Sequence, residues 1–248
     1  TVKDLQVSSI PLLRQELKGG AGSGGIFVRK SPFDKATTDI IFFDKDGKDL
    51  SSSKTKGIEK LYFSEEYQRA DFFMVGSIKY PERTIEKYKE HFLRCLDVEA
   101  IRKRRFKIVL DYSHGITAEY FPDLLGEFNI ETVSLSAHLD KDKITRTQEE
   151  FDIAFRQFSY VVRSLNYNFG FMIDSGGEKI WIMNNDGEKV DGDRFLVLIT
   201  KMFLMANPDT KKIAVPIQAT REIDLVCEEF GTEVVRVKDS HYAMMTAC

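Results

Sequence analysis

Two short polar loops hold most of the side chains able to do chemistry. One is Asp174-Ser175-Gly176-Gly177-Glu178-Lys179, which leaves an apolar segment and runs into Ile180-Trp181-Ile182-Met183 and the turn Asn185-Asp186-Gly187. It offers the carboxylates of Asp174 and Glu178 and the ammonium of Lys179. The other is Arg29-Lys30-Ser31-Pro32-Phe33-Asp34, where two cations stand beside a hydroxyl. Such a basic pair can bind a phosphate through charge-assisted hydrogen bonds. It can equally be a solvated loop in which Ser31 starts a Ser-Pro turn.

The two loops are related. Ile40-Ile41-Phe42-Phe43-Asp44-Lys45-Asp46-Gly47 is echoed by Ile180-Trp181-Ile182-Met183-Asn184-Asn185-Asp186-Gly187 at a constant offset of 140 residues. Each copy is preceded by a strand and a polar loop, and each leads to a helix through Leu50-Ser51 or Val190-Asp191. The period is too long for a solenoid. It fits duplicated α/β units whose strand-end loops converge, which is where open α/β sheets bind ligands.

The elements that must position these loops are legible from periodicity and breakers. A helix is expected over Pro11–Lys18, stopped by Gly19 and Gly20, and a strand over Gly24–Arg29. Asp39–Phe43 and Lys48–Leu50 read as a hairpin around Asp46-Gly47, a type I′ pair. Ser52 or Ser53 can cap a helix reaching about Tyr67. Pro81 opens a longer helix, with Ile85, Tyr88, Phe92, Leu93 and Leu96 at helical spacing. Strands and helices then alternate: Phe106–Asp111, helix Thr117–Phe128, Thr132–Leu135, helix Gln148–Leu165, Phe169–Ile173, Ile180–Met183, helix Asp193–Met205, Lys212–Pro216, helix Thr220–Phe230 and Glu233–Val237. Alternation of this kind means three-layer α/β with a largely parallel sheet.

Composition bounds the function classes. The chain has 248 residues, 42% hydrophobic and 30% charged, with net charge -3, so no global basic field recruits nucleic acid. Cys95, Cys227 and Cys248 are far apart and odd in number, which favours a reducing compartment over a disulfide framework. No membrane span or signal peptide is expected, and the compartment expected is the cytoplasm. The abrupt start at Thr1 and the helix-like end over Ala243–Cys248 suggest a fragment of a longer protein.

Several patterns are decoys. Gly20 to Gly25 spells G-x-G-x-x-G but follows a helix and opens a strand, the reverse of a dinucleotide site. Ser51-Ser52-Ser53-Lys54 reads as helix capping. Arg102-Lys103-Arg104-Arg105 reads as a solvated linker between domains. His91, His114, His138 and His241 show no metal-ligand spacing, although His114 follows a strand and has access to a cleft or a turn. Asp191-Gly192-Asp193-Arg194 reads as a helix cap.

Taken in order, these segments resemble the alpha-D-phosphohexomutases, the phosphoglucomutase/phosphomannomutase superfamily. Against the family's Asp-Gly-Asp-x-Asp-Arg magnesium loop, the chain keeps Asp174, places Gly176 and Glu178 at the second and third aspartates, and puts Lys179 at the arginine. Against Gly-Gly-apolar-apolar-apolar-Thr-Ala-Ser-His-Asn-Pro it reads Gly24-Gly25-Ile26-Phe27-Val28-Arg29-Lys30-Ser31-Pro32-Phe33-Asp34, so Ser31 falls on the phosphorylated serine. Lys107 to Gly115 echoes domain 2. Lys238-Asp239-Ser240-His241-Tyr242 resembles the domain 3 segment Thr-Lys-Val-Gly-His-Arg, with Lys238 and His241 keeping their types.

The resemblance implies repeated three-layer α/β/α domains of phosphoglucomutase type with mostly parallel mixed sheets. Residues 1–80 would be the later part of domain 1, 81–143 domain 2 and 144–248 domain 3. It implies phosphoryl transfer between the 1- and 6-positions of a hexose through phospho-Ser31, with Mg2+ held by Asp174 and Glu178. The substrate, a mannose or glucose phosphate, would be gripped by Arg29, Lys30, Lys179, Lys238 and His241. The substitutions in both loops resemble a divergent branch fused to a mannose-1-phosphate guanylyltransferase-type nucleotidyltransferase. The leading expectation is therefore a mutase-like region with degraded serine and magnesium loops. The alternatives are an active phosphohexomutase and a non-catalytic sugar-phosphate-sensing or assembly domain.

Overall fold

The computed structural model describes residues 1–20, 22–32, 34–67 and 69–247. Ala21, Phe33 and Cys248, each part of a sequence expectation, lie outside the described residues. The chain divides into two compact units. One comprises Thr1–Gly47 and Ser52–Lys189, and the other Lys48–Ser51 with the chain from Val190 onward.

In the first unit the elements run β1 (Val2–Lys3), α1 (Ile10–Lys18), β2 (Gly24–Lys30), β3 (Thr38–Asp44), α2 (Ser52–Ser64), β4 (Ile78–Lys79), α3 (Thr84–Arg94), α4 (Val98–Arg104), β5 (Lys107–Asp111), α5 (Phe121–Glu127), β6 (Glu131–Leu135), α6 (Gln148–Leu165), β7 (Phe169–Ile173) and β8 (Ile180–Met183). One sheet has the order β6-β5-β7-β8, with β5 parallel to both β6 and β7 and β8 antiparallel to β7. Alternation of side chains along β5 and β7 builds its two cores. Val109 and Met172 pack with Phe158 and Val162 of α6. Leu110, Tyr112 and Ile173 pack with Phe121 and Leu125 of α5. Burying Phe158, Val162 and Met172, each 0% exposed, contributes about 2 kcal/mol apiece as an upper estimate. Strands β5 and β6 come from the expected second domain and β7 and β8 from the expected third, so those two sequence ranges share one sheet.

The second unit contains α7 (Gly192–Ala206), β9 (Lys212–Pro216), α8 (Glu222–Glu229), β10 (Glu233–Val237) and α9 (His241–Ala247). β9 and β10 are parallel, and Leu204, Val215, Ile223 and Cys227 form its core. Asp191 caps α7, accepting from the backbone N–H of Asp193 and Arg194, as its sequence suggests.

Strand β3 pairs antiparallel with β2 along its whole length. Four local expectations are corrected. The Asp44–Gly47 turn has positive φ only at Gly47, so it is not type I′. Pro81 does not open a long helix. The chain passes through Arg83 at φ 58 into α3, stops at Cys95, and restarts at Asp97, whose side chain caps α4. The helix expected over Thr117–Phe128 is a 3-10 turn at Ile116–Glu119 followed by α5, with the break before Pro122. Arg102–Arg104 is not a linker; it is the last turn of α4, where cations offset the helix dipole. Arg102 also pairs with Glu99 and Glu127.

Candidate anion site in the first unit

The site lies where the loops after β2 and β7 meet the N-terminus of α6. A cavity of about 180 Å³ is lined by Arg29, Ser31, Asp39, Arg146, Asp174 and Lys179, with Thr147, Gln148 and Phe151 at the start of α6. Helix α6 begins there because Thr147 forms a capping box with Glu150. Its remaining N-terminal amides and dipole favour an anion. The Ser31 loop is held by backbone: Ser31 N–H donates to Thr37 O at 3.0 Å, Thr145 Oγ1 donates to Ser31 O at 2.8 Å, and Arg146 N–H donates to Pro32 O at 3.2 Å. The Asp174 loop approaches the loop after β5 so closely that a Cβ on Gly115 would meet Ser175 O at 2.6 Å.

Arg29 dominates the electrostatics. Its Nε donates to Asp39 Oδ2 at 3.3 Å, and its Nη1 lies 3.5 Å from Glu178 Oε2. Glu178 also pairs with Arg14 at 3.4 Å. A Cβ on Gly176 would meet Arg29 Nη1 at 2.8 Å and Asp174 Oδ2 at 3.5 Å, so the guanidinium reaches into the loop itself. Asp174 Oδ1 accepts from the N–H groups of Glu178 and Lys179 at 2.7 and 2.8 Å.

This arrangement does not fit a magnesium site at Asp174 and Glu178. Magnesium needs near-octahedral oxygen ligands. Here one carboxylate oxygen of Asp174 is committed to two amides, Glu178 faces two guanidinium groups, and position 176 offers no carboxylate. The loop's positive charge is supplied by Arg29.

Other expected site residues are placed as follows. Arg29, Ser31, Asp174 and Lys179 line one cavity. Lys30 is directed elsewhere, donating to Lys141 O at 3.1 Å and facing Asp142. Lys238 and His241 belong to the second unit. Lys238 ends past β10, exposed, and His241 Nδ1 lies 3.3 Å from Asp49 Oδ2. Sequence reasoning missed Asp39 and Arg146. Arg146 Nη1 and Arg29 Nη1 are both buried with no hydrogen-bond partner. The available signal was Arg146 standing directly before the Thr147 helix cap.

The class defined by this fold is an α/β protein with mixed, mostly parallel sheets. Residues 86–187 match the phosphoglucomutase/phosphomannomutase alpha/beta/alpha domain II. The chain is 26% identical over 237 residues to a phosphoglucomutase/phosphomannomutase of Thermococcus kodakarensis, covering 96% of this chain and 52% of that protein. It is 22% identical over 218 residues to a phosphoglucosamine mutase of Methanocaldococcus jannaschii, covering 86% and 48%. The crystal structure of a phosphoglucomutase/phosphomannomutase family protein from Burkholderia thailandensis superposes with a TM-score of 0.78 at 18% identity, over 99% of this chain and 53% of that one. Residues 86–187 thus match one domain of that family, and the sequence similarity to mutases runs over most of the chain. The chain spans about half the length of the curated relatives it matches.

Proposed function

We propose that this chain is a hexose-phosphate-binding, mutase-like region of a sugar-nucleotide-pathway protein, impaired in phosphoryl transfer. The observation that carries the reading is Arg146 Nη1, a buried guanidinium nitrogen with no hydrogen-bond partner, beside a cavity that the Glu178-paired Arg29 also lines. A buried unmade hydrogen bond to a charged group is costly, and a phosphate offers the acceptors that relieve it. At about 180 Å³ the cavity is smaller than the roughly 300–1,000 Å³ of ordinary ligand clefts. It suits the phosphate end of a ligand rather than a whole sugar phosphate.

A guanidinium inside the carboxylate loop gives fixed positive charge without a metal, which supports binding. Transfer asks more: a nucleophile and charge compensation that follows the moving phosphoryl group. The place of Ser31 beside Arg29, Arg146 and Lys179 favours a second reading, an active mutase with Ser31 as phospho-carrier. An attached nucleotidyltransferase rests on the loop variants alone, since the relatives named above are mutases; the gene sequence upstream of Thr1 tests it.

The deciding experiment is a coupled mutase assay on the full-length protein with a hexose 1-phosphate, Mg2+ and a sugar bisphosphate primer, beside calorimetry with the same hexose phosphate. Binding without turnover is the expected result, and it is also what a sensing domain requires. Robust turnover that disappears in Ser31→Ala establishes the second reading. Absence of binding overturns both.

A further inference from the structure

Beside the cavity, His114 meets His138 and Asp140, more than twenty residues further along the chain, on the loops that follow β5 and β6. One ligand atom from each of His114, His138 and Asp140 lies within 4.8 Å of the other two. The imidazole rings meet edge to face with centroids 4.6 Å apart. The sequence spacing of these residues hides the cluster; the fold creates it, because β5 and β6 are parallel neighbours and their C-terminal loops emerge side by side.

The cluster is anchored. Ser113 and His114 are consecutive left-handed residues, at φ 48 and 56, conformations that cost free energy and persist where the surroundings enforce them. His114 N–H donates to Ser136 O at 3.2 Å, and Asp140 N–H donates to His114 O at 3.2 Å. The backbone of one ligand therefore holds that of another. His114 Nδ1 is buried with no hydrogen-bond partner. Burial pushes the His114 imidazole below its usual range. The charge of His138, and then of Arg146 and Lys143, pushes the same way, while the His138 carbonyl opposes them. Asp140 Oδ1 accepts from Asp142 N–H at 3.0 Å, and Oδ2 faces Lys143 at 3.4 Å, so the carboxylate is oriented and ionised.

We propose that His114, His138 and Asp140 form a site for a zinc-class divalent transition metal, with a fourth position open to water or a ligand oxygen. Two imidazoles and one carboxylate suit zinc, cobalt, nickel or copper rather than magnesium, which takes oxygen ligands. Metal–ligand bonds of about 2.0–2.2 Å require the three atoms to close toward one another. The exposed His138 supplies that movement by side-chain rotation. Lys143 and Arg146 are the positive neighbours the metal must overcome, so the affinity is lower than in a closed structural site.

The test is calorimetric titration of Zn2+, and optical titration of Co2+, into the full protein carrying Cys95→Ser. That background removes a competing pair, since Cys95 Sγ lies 3.9 Å from His91 Nε2. Saturable uptake is expected, with cobalt bands lacking thiolate charge transfer. His138→Ala and Asp140→Asn should each weaken uptake at least about 10-fold without altering the circular dichroism, as His138 is exposed. Mg2+ should not compete. The site is overturned if no saturable Zn2+ uptake occurs, or if uptake survives both substitutions undiminished. Hexose-phosphate binding is read separately, so failure here leaves the proposed function standing.

Discussion

The first unit contains the same small design twice. In one copy α1 precedes β2 and β3; in the other α6 precedes β7 and β8. Each first strand carries a glycine under its helix: a Cβ on Gly25 would meet Leu17 Cδ1 at 2.9 Å, and one on Gly170 would collide with Val162 and with Phe158 Cζ at 2.8 Å. Each second strand ends in a turn closed by an Asx oxygen, Asp44 Oδ1 accepting from Asp46 N–H and Asn184 Oδ1 from Asp186 N–H. Each turn finishes on a glycine of positive φ, 75 at Gly47 and 73 at Gly187. In each, a side chain of the preceding helix donates to that glycine's carbonyl, Arg14 at 2.8 Å and Ser159 at 2.5 Å. The frames agree where backbone meets backbone, and the loops differ. One loop brings a cation and a hydroxyl, the other two carboxylates. Arg29 and Glu178 join them. Close packing of helix on strand preserves the frame, and the two copies differ in the side chains of their strand-end loops.

That comparison can be broken at its contact points. The largest effect is expected from Gly170→Ala, about 2–3 kcal/mol in urea unfolding, because its neighbours are the fully buried Val162 and Phe158. Gly25→Ala should cost about 1 kcal/mol, since the ends of Leu13 and Leu17 can yield. Equal costs would show that the two helices do not hold their strands differently. Gly47→Ala and Gly187→Ala should each cost about 1–2 kcal/mol, from the left-handed φ and a backbone oxygen within 3 Å. A marked difference between these two would break the equivalence of the turns. Arg29→Ala should weaken hexose-phosphate binding about 10-fold, near 1.4 kcal/mol, read by calorimetry.

The smallest effect separates the two helix caps. Ser9 caps α1 and shares a 2.9 Å hydrogen bond with Tyr120, whereas Thr147 caps α6 through Glu150. Burial pushes the Tyr120 phenol up to about 12, partly offset by Ser9. A raised folded-state value keeps its proton while the unfolded chain, at about 10, loses it. Stability from this group is therefore full below about pH 10 and is lost as pH rises toward 12. Tyr120→Phe should flatten that alkaline decline and cost about 1 kcal/mol near neutrality, measured as melting temperature against pH.

Much of the frame was legible because its signals are local. Strands β7, β8, β9 and β10 and helix α6 have the ends their apolar runs and caps imply. The pairing of β2 with β3 was not legible, because a turn dipeptide such as Asp46-Gly47 cannot say which strands its neighbours pair with. The Pro81 helix failed because apolar spacing continues through Leu96 while the backbone stops at Cys95 and restarts at Asp97. The paired loops were visible as a 140-residue echo. Their connection was not, since a lone Arg146 before a helix cap and an Asp39 in a strand acquire meaning only when the loops meet.

The central claim is that guanidinium charge, not a divalent cation in the Asp174 loop, makes the anion site. Calorimetry of a hexose 1-phosphate with the full-length protein, in EDTA and again with Mg2+, beside Arg146→Ala, addresses it directly. The account predicts equal affinity in EDTA and Mg2+, and at least a roughly 10-fold loss in Arg146→Ala. Binding that requires Mg2+ and is indifferent to Arg146→Ala would contradict it.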